Sequence, residues 1–298
     1  MRTDRGQRRL INQDACAALP EIGAFIVCDG MGGAAAGEVA SQLATEAFLN
    51  CLARCCPPPV AIAPESPSPI LLPPEFIAPT TVPPRAPHST PARPRTRLGD
   101  AIRAANQVVF RHSRKSSSLH GMGTTLVALL WERSALRRKD DPVTPPIWLA
   151  HVGDSRCYRL RDGILEQLTE DHSLVQEQVR AGVLNRIQAT VSPMRNIITR
   201  AIGSHPTVEA AIATHATQPG DLYLLASDGL TRELDDATIA KILARTASPA
   251  LLEAARRDSV SPALALQAAL DDACRALIDA ANAHGGHDNI TVLLVPCL

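Results

Sequence analysis

The chain has 298 residues, 45% of them apolar, and carries 30 basic against 30 acidic side chains, so its formal net charge at pH 7 is zero. That length and apolar content suffice for a large buried core, while the balanced charge gives no electrostatic ground for binding nucleic acid or an anionic membrane. No apolar stretch approaches the roughly 20 residues of a membrane helix, and the polar N-terminus lacks the basic-then-apolar pattern of a secretory signal, so neither insertion nor export is expected.

In chain order, Met1 to Asp14 is polar. Ala24 to Cys28 is then an apolar run that stops at Asp29 and passes into Gly30-Met31-Gly32-Gly33. Such a run, bounded by turn formers and lacking helical periodicity, predicts a buried strand. The missing Cβ atoms after it let a carbonyl such as that of Gly30 approach a ligand closely. Glu38 to Leu52 repeats its apolar residues at helical spacing and predicts a helix with one face on a sheet. More than half of the 24 prolines fall between Pro57 and Arg97. Proline removes backbone donors, so this stretch is expected to be an extended insertion, at about 57–97, inside a single domain spanning 1–298. Leu98 to His112 predicts a second helix.

Gly121-Met122-Gly123-Thr124-Thr125 leads into the apolar run Leu126 to Trp131, and Ile147 to Val152 leads into Gly153-Asp154. Between them, Arg137-Arg138-Lys139 is followed at once by Asp140, Asp141 and Pro142 and reads as a solvated loop. Ser155 to Leu160 and Ile164 to Leu168 alternate about Arg161-Asp162-Gly163, a hairpin signal. Asp171 to Gly182 is helical in pattern and Val183 to Met194 irregular. Asp221 to Ser227 and Ile290 to Val295 predict the last two strands, with helices over Asp236 to Thr246 and Pro262 to Asn282 between them. Strands grouped with two pairs of helices predict an α+β fold of four layers, α-β-β-α, around two mainly antiparallel sheets. The eight cysteines are scattered, without Cys-x-x-Cys or metal-ligand spacing even where Cys51, Cys55 and Cys56 lie close together, and are expected as reduced cytoplasmic thiols.

Five acids recur at the edges of predicted buried strands: Asp14, Asp29, Asp154, Asp228 and Asp288. Any one of them also reads as an ordinary turn or helix cap. As a set they suit magnesium or manganese, which take oxygen ligands and are held by a few carboxylates.

Together the blocks resemble the metal-dependent protein phosphatase (PPM, or PP2C-type) family in its bacterial serine/threonine form. They are Arg9-x-x-Asn12-Gln13-Asp14; Asp29-Gly30-Met31-Gly32-Gly33 with Gly37-Glu38-x-Ala40-Ser41; Gly121-Met122-Gly123-Thr124-Thr125; Val152-Gly153-Asp154-Ser155-Arg156; Asp171-His172-Ser173; Arg195-Asn196-Ile197-Ile198-Thr199-Arg200; Ser227-Asp228-Gly229; and Gly286-His287-Asp288-Asn289. They run in the family's order, nearly end to end. The resemblance implies a PP2C-like fold and hydrolysis of phosphoserine and phosphothreonine in proteins by a metal-activated water, with two Mn or Mg ions. Asp29 would bridge the ions, Asp228 and Asp288 complete one, the Gly30 carbonyl serve the other, and Asp14 act through water. Asp154, with Asp228, matches the family's weaker third-ion position. Arg9 stands five residues before Asp14, where the family places its phosphate-binding arginine; otherwise it is one surface arginine among Arg5 and Arg8. The resemblance also puts a flap at about 171–196 and implies a cytoplasmic, monomeric enzyme opposing a cognate Ser/Thr kinase.

Three departures stand out. Gln13 replaces a glutamate found in many relatives. Met31 replaces the histidine that animal members carry as a proposed general acid. The family's strand before Asp4-Arg5-Gly6 has little room and is missing or shortened, as a start codon further upstream would explain. His172 and His287 lie in matching motifs, with a structural hydrogen-bonding role the plainer reading for each. The rival readings are a catalytically weak regulatory module of the same fold that binds a kinase or phosphoprotein, and a phosphatase for small phosphoesters.

Overall fold

The computed structural model describes residues 1–32, 36–55, 94–131, 145–257 and 261–297. Its strands are β1 (Arg2–Asp4), β2 (Asp14–Leu19), β3 (Ala24–Met31), β4 (Gly123–Thr124), β5 (Leu126–Trp131), β6 (Ile147–Val152), β7 (Arg156–Arg161), β8 (Ile164–Gln167), β9 (Ala211–His215), β10 (Leu222–Ala226) and β11 (Ile290–Pro296). Its helices are α1 (Ala36–Cys55), α2 (Pro94–Ser113), α3 (Leu174–Arg180), α4 (Arg186–Thr190), α5 (Asp228–Thr231), α6 (Asp236–Thr246), α7 (Pro249–Arg256) and α8 (Pro262–Ala283). One sheet has the order β1-β11-β10-β7-β8; the other runs β2-β3-β5-β6-β9, with β4 beside β3. All the strand pairings described are antiparallel.

The apolar runs are continuous because both faces of the central strands are buried. In β3, Ile26 and Cys28 pack under α1 and α2 with Phe48, Leu52 and Leu98, while Val27 between them faces the other sheet. In β10 and β11, Leu224 and Val292 meet Leu243 and Leu277 of α6 and α8, while Tyr223, Leu225 and Leu293 join Val27 and Leu129 between the sheets. A period of two with no polar side thus produces the four layers α-β-β-α that the sequence predicts.

The hairpin forms as expected. Asp162 and Gly163 have φ of 51° and 79°, the pair of positive values that a two-residue turn matching strand twist requires. A short first strand is present, three residues long and paired with β11. Two expectations need correction. The extended reading of Pro57 to Arg97 fails at its last four residues, because α2 begins at Pro94, where the missing N–H of proline costs a helix nothing; residues 56–93 lie outside those described, as do the basic run at 137–139 and Gly33. Val183 to Met194 is not irregular throughout: α4 forms inside it, closed by a reciprocal capping box between Asn185 and Gln188. The edge strand β9 and the helix α7 were not anticipated, since β9 buries no residue fully and α7 is only 8 residues long.

Leu225 is fully buried between the sheets, so Leu225→Ala is expected to lower the unfolding free energy by about 2–5 kcal/mol in urea with an unchanged denaturant slope. Ile164→Ala, at a side chain 71% exposed, is expected to shift it by less than about 0.5 kcal/mol. Equal effects would contradict this packing.

Candidate metal centre

The five carboxylates come to one end of the two sheets. Asp14 opens β2 and stands directly opposite Asp29, near the end of β3. Asp154 lies just beyond β6, Asp228 just beyond β10 at the first position of α5, and Asp288 just before β11. Two glycines permit the close approach of these turns. A Cβ at Gly30 would stand 2.1 Å from the Gly37 carbonyl oxygen and 2.6 Å from that of Gln13; one at Gly229 would stand 2.0 Å from the Asn289 carbonyl oxygen.

Neutral side chains fix the acids in place. Thr125 Oγ1 accepts the Asp29 N–H at 3.0 Å and lies 2.7 Å from Ser155 Oγ, so one hydroxyl links the Asp29 strand to the Asp154 turn. The Thr124 hydroxyl donates to the Asp29 carbonyl at 2.8 Å. Ser227 Oγ donates to Asp14 Oδ2 at 2.8 Å and accepts the Thr291 N–H at 2.9 Å. Asn289 donates to the carbonyls of Arg5 and Ile11 and accepts the Gln13 N–H, tying the N-terminal segment to the Asp288 turn. The Gln13 carbonyl also accepts from Ser41.

Asp29, Gly30, Met31, Gln13, Asp228, Asp288, Arg9 and Arg232 line one cleft of about 480 Å³. Asp14 is buried outside that lining and stands opposite Asp29 on the adjoining strand. Asp154 opens instead into a neighbouring cleft of about 660 Å³ walled by α3 and α4, and Asp228 and Arg232 border both. Arg9 donates to Asp288 Oδ2 at 2.7 Å with its side chain 48% exposed. Arg232 was not singled out in the sequence. Its guanidinium pairs with Asp228, lies 3.4 Å from Asp154 Oδ2, and lies 3.8 Å from Asp288 Oδ2. The signal for it was present: an acid followed four residues later by arginine shares a helical face.

Burial, more than any neighbour, raises the acids. Asp14 is pushed to about 6, with the Asp288 charge adding and hydrogen bonds from Thr291 and Ser227 opposing. Asp228 reaches about 6 against the opposing charge of Arg232. Asp154 reaches about 7, burial being joined by repulsion from Asp228. Asp29 is held well above the ordinary range by burial and then by Asp228 and Asp14.

Do these residues fit a divalent ion? Oδ1 of Asp14, of Asp154 and of Asp228 are each buried without a hydrogen-bond partner. Anionic oxygens desolvated and left unpaired are costly unless a cation meets them, and an all-oxygen set suits Mg or Mn. The residues fit. Among the described residues no three His, Cys, Asp or Glu side chains already stand at the spacing of a closed ligand shell. Guanidinium groups meet Asp154, Asp228 and Asp288 instead.

Both histidines have structural partners. His172 stacks on His151 at 4.7 Å and accepts the Gly153 N–H; burial, the neighbouring His151 and Arg200 lower it to about 4, so it is neutral at pH 7. His287 lies against Glu233 at 2.8 Å. Arg156 and Asp171 form a forked ion pair that joins two of the sequence blocks. Cys16, Cys28, Cys157, Cys274 and Cys297 form no disulfide, and burial pushes the Cys16 and Cys28 thiols up to about 11 and 12, away from reactive thiolates.

A model of the protein phosphatase 2C family matches residues 3–271. The chain is 32% identical to the serine/threonine phosphatase stp of Listeria monocytogenes over 297 residues, covering 99% of this chain and 93% of that protein. Its fold is similar to that of the Streptococcus agalactiae serine/threonine phosphatase, with a TM-score of 0.69 and 32% identity over 99% and 97% of the two chains. It is also similar to the catalytic domain of the phosphatase PstP in complex with two manganese ions, with a TM-score of 0.63 and 29% identity over 98% and 94%.

A pH dependence follows from the raised acids. Asp14, Asp154 and Asp228 bind protons more tightly folded than at their ordinary 3.8, so stability rises as pH falls through about 7 to 5, where the folded state takes up protons first. In EDTA the melting temperature is expected to be higher at about pH 5.5 than at about pH 7.5, and Mn is expected to raise it more at pH 7.5. A metal-free melting temperature that climbs with pH across this window would refute this account.

Proposed function

Because the chain belongs to the protein phosphatase 2C family, we propose that its acid cluster is the centre of a metal-dependent enzyme that removes phosphate from phosphoserine and phosphothreonine in proteins. The observation that carries the assignment is the convergence of five carboxylates at one end of the sheets, three with a buried unpartnered oxygen, with Asp29, Asp228 and Asp288 sharing a cleft with the exposed Arg9. Asp29, Asp228 and Asp288 would hold one ion, and Asp29 with the Gly30 carbonyl the other. Asp154 with Asp228 matches the position where the family holds a weaker third ion, and here a guanidinium, that of Arg232, meets both acids. Bound Mn or Mg supplies Lewis acidity, lowering the pKa of water and offsetting phosphate charge.

The remaining work falls to this chain's own groups. Arg9 offers a guanidinium fork to the phosphate; its exposed pairing with Asp288 is worth little, so a phosphate dianion can take it over. Ser227 occupies Asp14 Oδ2, leaving Oδ1 to orient the attacking water and take up its proton. Met31 lines the cleft, and a thioether donates no proton. No histidine lines that cleft among the described residues, so the leaving oxygen is protonated by water.

We read the chain as one domain, because β3 and β5, on either side of the proline-rich segment, pair directly. No described helix is long and apolar enough to cross a membrane. The buried, unbridged thiols fit a reducing, cytoplasmic setting, and similarity to serine/threonine phosphatases supports an enzyme opposing a Ser/Thr kinase.

Purified protein is expected to release phosphate from a phosphothreonine peptide with Mn and not with EDTA. Asp29→Asn and Asp228→Asn should each lower kcat beyond the roughly 10–100-fold that a supporting partner costs, and Arg9→Ala should raise KM about 10-fold or more. Peptide binding without Mn-dependent turnover would leave the regulatory-module reading instead.

A further inference from the structure

The two-ion reading leaves one cationic group in the cluster without a task. Arg232 follows Asp228 by one helical turn, so its side chain returns to the same face. Its guanidinium meets carboxylates from three strand ends: Asp228, Asp154 and Asp288. It stands on the wall between the two clefts. Its side chain is 29% exposed, whereas those of Asp154 and Asp228 are 7% and 10% exposed. Oδ2 of both these acids is engaged by the same Nη2 atom, while their Oδ1 atoms are buried and unpartnered.

We infer that the Arg232 guanidinium is a built-in cation for the Asp154–Asp228 pair, standing where a third divalent ion would otherwise bind, so that this chain takes two ions and not three. Charge supports it: five carboxylates are balanced by two divalent ions and one guanidinium, and Arg9 stays available for phosphate. A third divalent ion would have to displace a group that cannot be deprotonated and would leave the pocket with excess positive charge. The pairing is also partly buried, so its Coulomb attraction is less screened than that of a surface ion pair. The inference rests on the two-ion reading and assigns Arg232 a role distinct from that of Arg9: it is a positioning residue, holding Asp154 and Asp228 together in place of an ion.

The test is a count of bound Mn per folded chain, by equilibrium dialysis with free Mn followed by its EPR signal, on wild type, Arg232→Gln and Arg232→Lys, with circular dichroism as the folding check. Two ions are expected in wild type and in Arg232→Lys, which keeps the charge, and a third, weaker ion in Arg232→Gln. Adding Asp154→Asn to Arg232→Gln should abolish the third. Three ions in the wild type, or a folded Arg232→Gln that still binds two while Arg232→Lys behaves as wild type, would overturn the inference and leave the two-ion reading standing. Fewer than two ions in the wild type would overturn both.

Discussion

Asp14 and Asp29 face each other across adjacent antiparallel strands, with Asp228 lining the same cleft as Asp29 and Asp288 just outside β11. Bringing those acids together away from water is the constraint on which the rest of the structure depends. Each raised carboxyl costs on the order of a few kcal/mol to ionise without a cation. Only protons, arginines or metal ions can offset that repulsion. A fold that places such a cluster at the end of its sheets is more stable with the cluster neutralised, and metal binding is thereby linked to folding.

Rigid surroundings keep that cluster from relaxing apart. Asp29, Asp154, Asp228 and Asp288 lie at the ends of strands buried on both faces, between helices and the opposite sheet, so their backbones cannot move without opening the core; Asp14, on the half-buried edge strand β2, is held by its pairing with β3. Hydroxyls then make the final adjustments. Thr125 serves the Asp29 and Asp154 sides together, and Ser227 serves Asp14 and β11. These groups carry no charge, so they hold carboxylates in place without competing for a cation. The glycines at 30 and 229 allow backbones to approach where any side chain would collide with a carbonyl.

The two arginines at the cluster divide along exposure. Arg9, nearly half exposed, pairs with one acid at the mouth; its ion pair is weak and exchangeable. Arg232 is partly buried and shared by three acids, and a guanidinium, with five donors in a fixed plane, can serve several carboxylates where a lysine ammonium would act as a point charge. Met31 at the cleft is a thioether and donates no proton, and His172, neutral at pH 7, is engaged with His151 and the Gly153 N–H.

Much of this was legible in the chain itself. Continuous apolar runs announced strands buried on both faces. The helix over Asp236–Thr246 was marked by its period, and the acids and glycines at strand ends marked the site, because each of these patterns is set by neighbours a few residues away. The edge strand β9, the capped α4 and the start of α2 inside the proline-rich stretch were not legible, since their apolar signals are short or absent. Arg232 shows the limit most clearly. Its partnership with Asp228 lies within one turn of sequence, but Asp154 is 78 residues before it and Asp288 is 56 residues after it. By itself the sequence determined the layers, the five acids and the glycines that let them converge. Only the tertiary structure decided which cation stands beside which acid, because that depends on strand register and on distances between segments that meet only after the sheets have packed.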